Sequence, residues 1–169
     1  MSSIEIRVLG STGIEDYHAH LLRLDIGDRN LRFASEADDR GIDGHCLRLL
    51  GAQAILIGGY VDNILRAGLE ILPDRTARQA TAIFTAEPGF CSPGMTRTLV
   101  ARLLDEARRY RLAALTLHGL DDADLLQRAA TPHGIDVETG SPTRLHFPGI
   151  PAPIAASAAG ATALAARFA

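Results

Sequence analysis

The sequence predicts a mixed α/β domain whose central sheet is mostly antiparallel and flanked by helices. Two apolar segments, 52–60 and 64–72, are separated by the turn-forming residues 61–63, which is typical of a β-hairpin. A third strand-like segment, 78–86, follows directly, and a long amphipathic helix then leads to the next apolar segment at 113–118. An antiparallel meander followed by a parallel crossover forms a mixed sheet and not a doubly wound one.

The complete predicted order of elements is β-α-α-β-β-β-α-β-α-β-β. We expect the first helix at 14–24, a turn at 27–30, and a second helix that opens near Ser35 and ends near Gly51. The predicted strands are 4–9, 52–60, 64–72, 78–86, 113–118, 135–138 and 144–147. The later helices are expected at about 95–110 and 122–130.

Length and composition predict one domain over residues 1–148, followed by an Ala- and Pro-rich tail over 149–169. The chain has 169 residues, 47% hydrophobic residues and a formal net charge of −3, which gives no electrostatic footprint for nucleic acid. Because no apolar run reaches about 18 residues, we expect no membrane span. Two cysteines, Cys46 and Cys91, are too few for a disulfide framework, so we expect a reducing, cytoplasmic location.

The segment from Ala80 to Leu112 contains an apolar strand, a turn with Gly89, Pro93 and Gly94, and the long helix. Such a turn leaves the first-turn N–H groups of the helix unpaired, and the helix dipole adds positive potential there. Phosphate is the natural ligand of this arrangement. An ordinary strand–helix crossover without a ligand is the alternative.

Three segments resemble the acyl-CoA-dependent N-acetyltransferases of the GNAT type. The stretches 20–49 and 54–72 resemble their opening helices and first hairpin, and 80–117 resembles their cofactor-binding core; the whole likeness runs from about Tyr17 to Phe147. The resemblance implies acetyl-CoA or another acyl-CoA as co-substrate and a primary amine as acceptor. Apart from the resemblance, exposed apolar surface on the final strands or the Ala-rich tail could support a homodimer.

The pyrophosphate loop of that family corresponds to Cys91–Thr96, where Gly94 matches the family pattern and Cys91, Pro93 and Thr96 depart from it. The resemblance places the pantetheine against the backbone of the strand that contains Phe84. This strand is expected to diverge from the strand that contains Leu115. The implied cofactor-binding residues are Phe84, Thr85, Ala86, Ser92, Gly94, Met95, Thr96 and Arg97.

The general-acid Tyr of the family falls at Ala130, and its cofactor-binding Asn falls at Asp122 or Ala123. Substitute catalytic residues are therefore needed. Glu70 stands where some family members place a carboxylate that faces the amine, and His118 ends a strand at the edge where ligands gather. A solvated strand carboxylate and a strand-capping histidine are the respective alternatives.

Three further groups of residues are candidates for a chemical role. Glu87 follows the proposed pantetheine strand and would relay protons through water, unless it is an ordinary solvated loop carboxylate. Cys91 precedes a helix, where a thiol pKa is lowered if its sulfur faces the amides. His18 and His20 lie two residues apart on a predicted helix and point in different directions, so we expect no metal site.

Two functions remain open from the sequence. The first is an enzyme that transfers an acyl group from CoA to a primary amine by direct attack in a ternary complex. The second is a protein of the same fold that turns over slowly or not at all and serves as a CoA sensor or scaffold.

Overall fold

A computed structural model describes residues 4–34, 37–74 and 76–149. Its seven strands are β1 (Ile4–Leu9), β2 (Ile55–Val61), β3 (Ile64–Asp74), β4 (Gln79–Ala86), β5 (Ala114–His118), β6 (Asp136–Glu138) and β7 (Thr143–His146). Its five α-helices are α1 (Ile14–Arg23), α2 (Ile26–Phe33), α3 (Asp39–Gly51), α4 (Pro93–Arg109) and α5 (Ala123–Ala130). Apart from Gly149, the predicted tail lies outside the described residues.

The strands form one sheet in the order β1-β2-β3-β4-β5-β7-β6. All neighbouring pairs are antiparallel except β4 and β5, which are parallel because α4 carries the chain back across the sheet. The predicted fold class, a mixed and mostly antiparallel sheet with flanking helices, is confirmed.

The predicted order of elements misses one helix. Gly27 and Asn30 indicate a turn, but α2 runs through both of them. The Asp25 side chain caps this helix by accepting a hydrogen bond from the Asp28 amide at 2.8 Å. Phe33 is its buried residue, so a cap and one anchoring aromatic outweigh the weak helix propensity of glycine and asparagine.

The hairpin between β2 and β3 turns at Asp62 and Asn63, which both have positive φ, at 50° and 62°. Asp and Asn tolerate this left-handed conformation, and two such residues match the twist of the flanking strands. The hairpin predicted at 61–63 is therefore found, and β3 continues into an eight-residue pairing with β4.

The two faces of the sheet hold separate cores. Helices α4 and α5 cover one face, where Leu69, Phe84 and Leu115 pack against Leu99 and Leu103. Helices α1 to α3 cover the other face, and its apolar residues include Tyr17, Leu21, Phe33, Ile42, Leu49, Leu56 and Leu72. This second face also carries buried charges, described below.

Candidate functional site

The parallel strands β4 and β5 part at their carboxyl ends. Their pairing runs from Gln79 and Ala114 to Ile83 and His118, and β4 then continues for three residues to Ala86 without β5 beside it. The sequence predicts divergence at Phe84 and Leu115. Leu115 is instead paired with Ala80, and the strands diverge at Phe84 and Gly119.

Gly119 starts this divergence. Its φ is +77°, and a Cβ built there would lie 2.3 Å from the Phe84 carbonyl oxygen, so any side chain would collide with the β4 main chain. The contact also shows that the main-chain polar groups of Phe84 face β5. The N–H and C=O groups of successive residues in a strand point alternately to its two sides, so those of Ala86 face the same open side as those of Phe84. The Glu87 amide points the other way and donates to the Arg66 carbonyl of β3 at 2.8 Å.

An open cleft of about 680 Å³ lies beside this divergence. Its lining residues are Phe84, Cys91, Gly119, Leu120, Asp121, Asp122, Ala123 and Asp124. Such a volume is within the usual range for small-molecule sites. Three of the eight residues are carboxylates and none is basic.

The amino terminus of α4 lies at the same edge of the sheet, and most of its first-turn amides are occupied or missing. Pro93 has no N–H, the Met95 amide donates to the Ser92 hydroxyl at 3.3 Å, and the Thr96 amide donates to the Ser92 carbonyl at 3.0 Å. The Gly94 amide is therefore the first-turn donor left for an anion. No atom lies within 4 Å of a Cβ built at Gly94, so this position is open.

The other residues of this loop are placed as follows. Met95 and Thr96 are buried, and the Thr96 hydroxyl donates back to the Ser92 carbonyl at 3.0 Å. Arg97 is exposed. The ring of Phe90 lies under the Arg66 guanidinium at 4.5 Å. The exposed Cys91 thiol lies 3.8 Å from the Thr96 hydroxyl.

Glu70 is fully buried in a cluster of four side chains that we call the Glu70 cluster: Tyr17, Arg32, His45 and Glu70. Tyr17 donates its hydroxyl to the carboxylate at 3.2 Å, His45 donates from Nε2 at 2.8 Å, and Arg32 forms a salt bridge with the same oxygen. Burial alone would raise the pKa of Glu70, but Arg32 and His45 lower it to about 2. The carboxylate is therefore ionised and paired, and not solvated as the alternative supposed.

His118 lies at the end of β5, in the register row that also holds Ile83 of β4 and Glu70 of β3. Residues in one row point to the same face of a sheet, so His118 faces the side of the Glu70 cluster and is partly exposed there. Burial and the positive charge of Arg32 lower its pKa, which favours the neutral imidazole.

A second group, the Glu87 cluster, surrounds a buried carboxylate and consists of His20, Arg23, Arg66, Thr85 and Glu87. His20 lies between Thr85 and Glu87, with Nε2 at 2.9 Å from the hydroxyl and Nδ1 at 3.2 Å from the carboxylate. Arg23 and Arg66 donate to the same carboxylate at 2.9 and 2.6 Å. Burial alone would raise the pKa of Glu87, but these partners lower it to about 2.

From the sequence, Glu87 is either a proton relay through water or a solvated loop carboxylate, and no pattern connects it with His20, which lies 67 residues away. The available signal is a pair of arginines, Arg23 in the first predicted helix and Arg66 in the predicted strand 64–72. His18 separates from His20 as expected, and its Nε2 lies 2.7 Å from Asp43. Among the described residues, no group of three or more His, Cys, Asp or Glu side chains is arranged to hold a metal ion.

Asp122 and Ala130, to which the resemblance assigns the family Asn (at Asp122 or Ala123) and Tyr, each have a structural role. The Asp122 side chain caps α5 by accepting from the Leu125 amide at 2.9 Å, while Ala130 is buried in the core.

None of the helices in the described part of the chain is long and apolar enough to cross a membrane.

No protein-family model matches the chain, and a comparison with curated proteins finds no match. Solved structures do match. The ribosomal-protein-S5-alanine acetyltransferase of Vibrio fischeri is 9% identical with a TM-score of 0.57, over 89% of this chain and 99% of that one. The PaiA N-acetyltransferase of Thermoplasma acidophilum, in complex with coenzyme A, is 15% identical with a TM-score of 0.53, over 86% and 98%.

A GNAT-family acetyltransferase of Staphylococcus aureus is 9% identical with a TM-score of 0.53, over 86% of this chain and 98% of that one. These likenesses extend over nearly the whole of each solved chain. At such low identity they concern the fold. The chain therefore has the fold of the GNAT N-acetyltransferases.

Proposed function

We propose that this protein transfers an acyl group from an acyl-CoA thioester to a primary amine by direct attack in a ternary complex. The observation that carries the proposal is the divergence of β4 and β5, which leaves the polar main-chain groups of Ala86 beside an open cleft. The CoA-bound structure of similar fold adds support.

The donor would extend along the free side of β4 as an additional strand would, hydrogen-bonded to the main chain of Ala86. Its phosphates would lie near the Gly94 amide and the Arg97 side chain. The thioester carbonyl would then lie close to the end of β5, since the strands separate there. Positioning of this kind lowers the barrier by aligning the two reactants.

His118 is the residue we propose to accept the proton of the attacking amine. Its lowered pKa keeps the imidazole neutral at physiological pH, and it is partly exposed beside the divergence. The role of base that the sequence suggests for Glu70 stays a prediction. Tyr17, Arg32 and His45 all bond Oε2 of that buried carboxylate, which leaves Oε1 as the oxygen an amine would have to reach.

Titration calorimetry with acetyl-CoA and CoA tests the donor site. We expect saturable binding that Gly94→Glu weakens about tenfold or more, because an added carboxylate would face the phosphates. Gly94→Ala is the matched control, since its methyl group meets open space. Absence of binding by the wild-type protein would refute the proposal.

A thiol-release assay with acetyl-CoA and a panel of primary amines tests transfer itself. Release above the no-amine rate is expected, and His118→Gln should lower kcat by about 10²-fold or more while leaving acetyl-CoA affinity unchanged. Binding without amine-dependent release would instead identify a CoA sensor or scaffold.

A further inference from the structure

We infer that the donor site recognises the pantetheine arm of its thioester and gains little affinity from the nucleotide diphosphate of CoA. This inference rests on the proposed function and specifies its donor class: acyl thioesters of pantetheine, with or without the nucleotide. It follows from three features of the site, namely the amides of α4, the charge of the cleft and the free side of β4.

The amino terminus of α4 offers few donors to a diphosphate. A glycine-rich helix start normally presents several first-turn amides to phosphate oxygens. In this chain Pro93 removes one of them, and the Ser92 hydroxyl accepts from the Met95 amide. The Thr96 amide makes the ordinary first helical bond to the Ser92 carbonyl, so among residues 93–95 only Gly94 keeps an unbonded amide.

The charge of the cleft opposes a diphosphate as well. Asp121, Asp122 and Asp124 all line it, and all three are exposed. Only one oxygen of Asp122 is used, in the cap of α5. The lining of the cleft contains no basic residue, and Arg97 is the first basic residue of α4. The carboxylates would repel a diphosphate bound beside the cleft, and solvent only partly screens such repulsion.

The pantetheine arm meets no such opposition. It is uncharged, its amides can hydrogen-bond with the main chain of Ala86, and Phe84 and Leu120 offer apolar contact. Main-chain pairing does not depend on the side chains of the loop. The half of the donor that carries the thioester therefore fits the site better than the half that carries the diphosphate.

Calorimetry with CoA, dephospho-CoA, 4′-phosphopantetheine and pantetheine tests the inference directly. We expect all four to bind, with dissociation constants that lie within about tenfold of one another. Binding of CoA more than tenfold tighter than pantetheine would overturn the inference and leave acyl transfer from CoA standing. Failure of all four to bind would instead refute the proposed function, and the inference with it.

Two variants test the cause. Pro93→Ala restores one amide donor, and Asp124→Asn removes one carboxylate from the cleft, so each should tighten CoA binding roughly three- to tenfold. Each should change the affinity for pantetheine less than it changes the affinity for CoA. Asp105→Asn is the matched control, because it makes the same charge change at an exposed position in the middle of α4. Equal gains in CoA affinity from Asp105→Asn and Asp124→Asn would overturn the electrostatic argument.

Discussion

Glu70 and Glu87 are two buried carboxylates on the same face of the sheet, but their surroundings differ. The partners of Glu70 are themselves sealed from water: His45 is fully buried and the Arg32 side chain is 7% exposed. The arginines that pair with Glu87 are 36% and 24% exposed, so their charges keep part of their hydration. The Glu70 cluster is thus closed on itself, whereas the Glu87 cluster reaches the surface.

The difference indicates two roles. The Glu70 cluster anchors α1, α2 and α3 on the sheet, because Tyr17, Arg32 and His45 each bond its carboxylate. The Glu87 cluster joins α1 to Thr85 and Glu87, at the end of the strand that borders the cleft. It therefore fixes the position of the β4 main chain where we propose that the donor binds.

Acid should break both clusters at once and have the largest effect. The pKa of each carboxylate is lowered to about 2, from an ordinary value of 4.5, so folding favours the ionised form. Their contribution to stability is fully present above about pH 4.5 to 5 and is lost as pH falls toward 2. His20 acts in the same direction below pH 6.5, because burial lowers its pKa and folding disfavours its protonation.

Urea unfolding between pH 7 and pH 3 measures this effect. The free energy of unfolding of the wild-type protein should fall more steeply below pH 5 than that of Glu70→Gln or Glu87→Gln. Identical pH dependence in all three proteins would show that neither carboxylate is held ionised by folding.

Glu70→Leu should produce the largest loss of stability among single substitutions, about 3–5 kcal/mol. It leaves the buried Arg32 charge without its carboxylate and removes the acceptor of the Tyr17 hydroxyl. Urea unfolding at pH 7 measures the change. Glu138→Leu is the control, since Glu138 is 65% exposed and its nearest ion partner, His146, is also exposed. A loss below 1 kcal/mol at Glu70 would contradict the anchoring role.

Glu87→Leu should cost less, about 1–3 kcal/mol, because Arg23 and Arg66 can turn their charges toward water. The order of the two losses is the sharper test. If Glu87→Leu destabilised the fold more than Glu70→Leu, exposure of the partners would not be the property that separates the clusters.

The sequence predicted the sheet well and the two clusters poorly, for a physical reason. Strand periodicity and the Asp62–Asn63 turn are local signals, and they place all seven strands. Glu70 contacts Arg32 and His45, which lie 38 and 25 residues away in the sequence, so no local sequence pattern indicates the cluster. The sequence leaves Glu70 as either a base for the amine or a solvated strand carboxylate, and Glu87 as either a proton relay or a solvated loop carboxylate. Their cationic partners come from α1, α2, α3 and β3, and no local pattern connects these elements with the two glutamates.

Gly68→Ala should cost about 1–3 kcal/mol, because it disturbs the packing over the Glu70 cluster. A Cβ at Gly68 would lie 2.7 Å from Cε2 of the Tyr17 ring, so the ring and α1 would have to shift. Gly94→Ala is the control, because its Cβ meets no atom within 4 Å. Equal free energies of unfolding for the two variants would show that α1 can shift at this contact without loss of stability.

Thr85→Val should have the smallest effect on folding, about 1–2 kcal/mol, and should separate positioning from stability. Folding favours the neutral His20, whose Nδ1–H donates to Glu87, so its Nε2 accepts from the Thr85 hydroxyl and would be left unpaired by valine.

If the Glu87 cluster sets the position of the β4 end, Thr85→Val raises the KM for acetyl-CoA more than it lowers kcat, and Thr85→Ser restores it because serine keeps the hydroxyl. If Thr85→Val lowers the free energy of unfolding but leaves the KM unchanged, the Glu87 cluster only stabilises the fold, as the Glu70 cluster does.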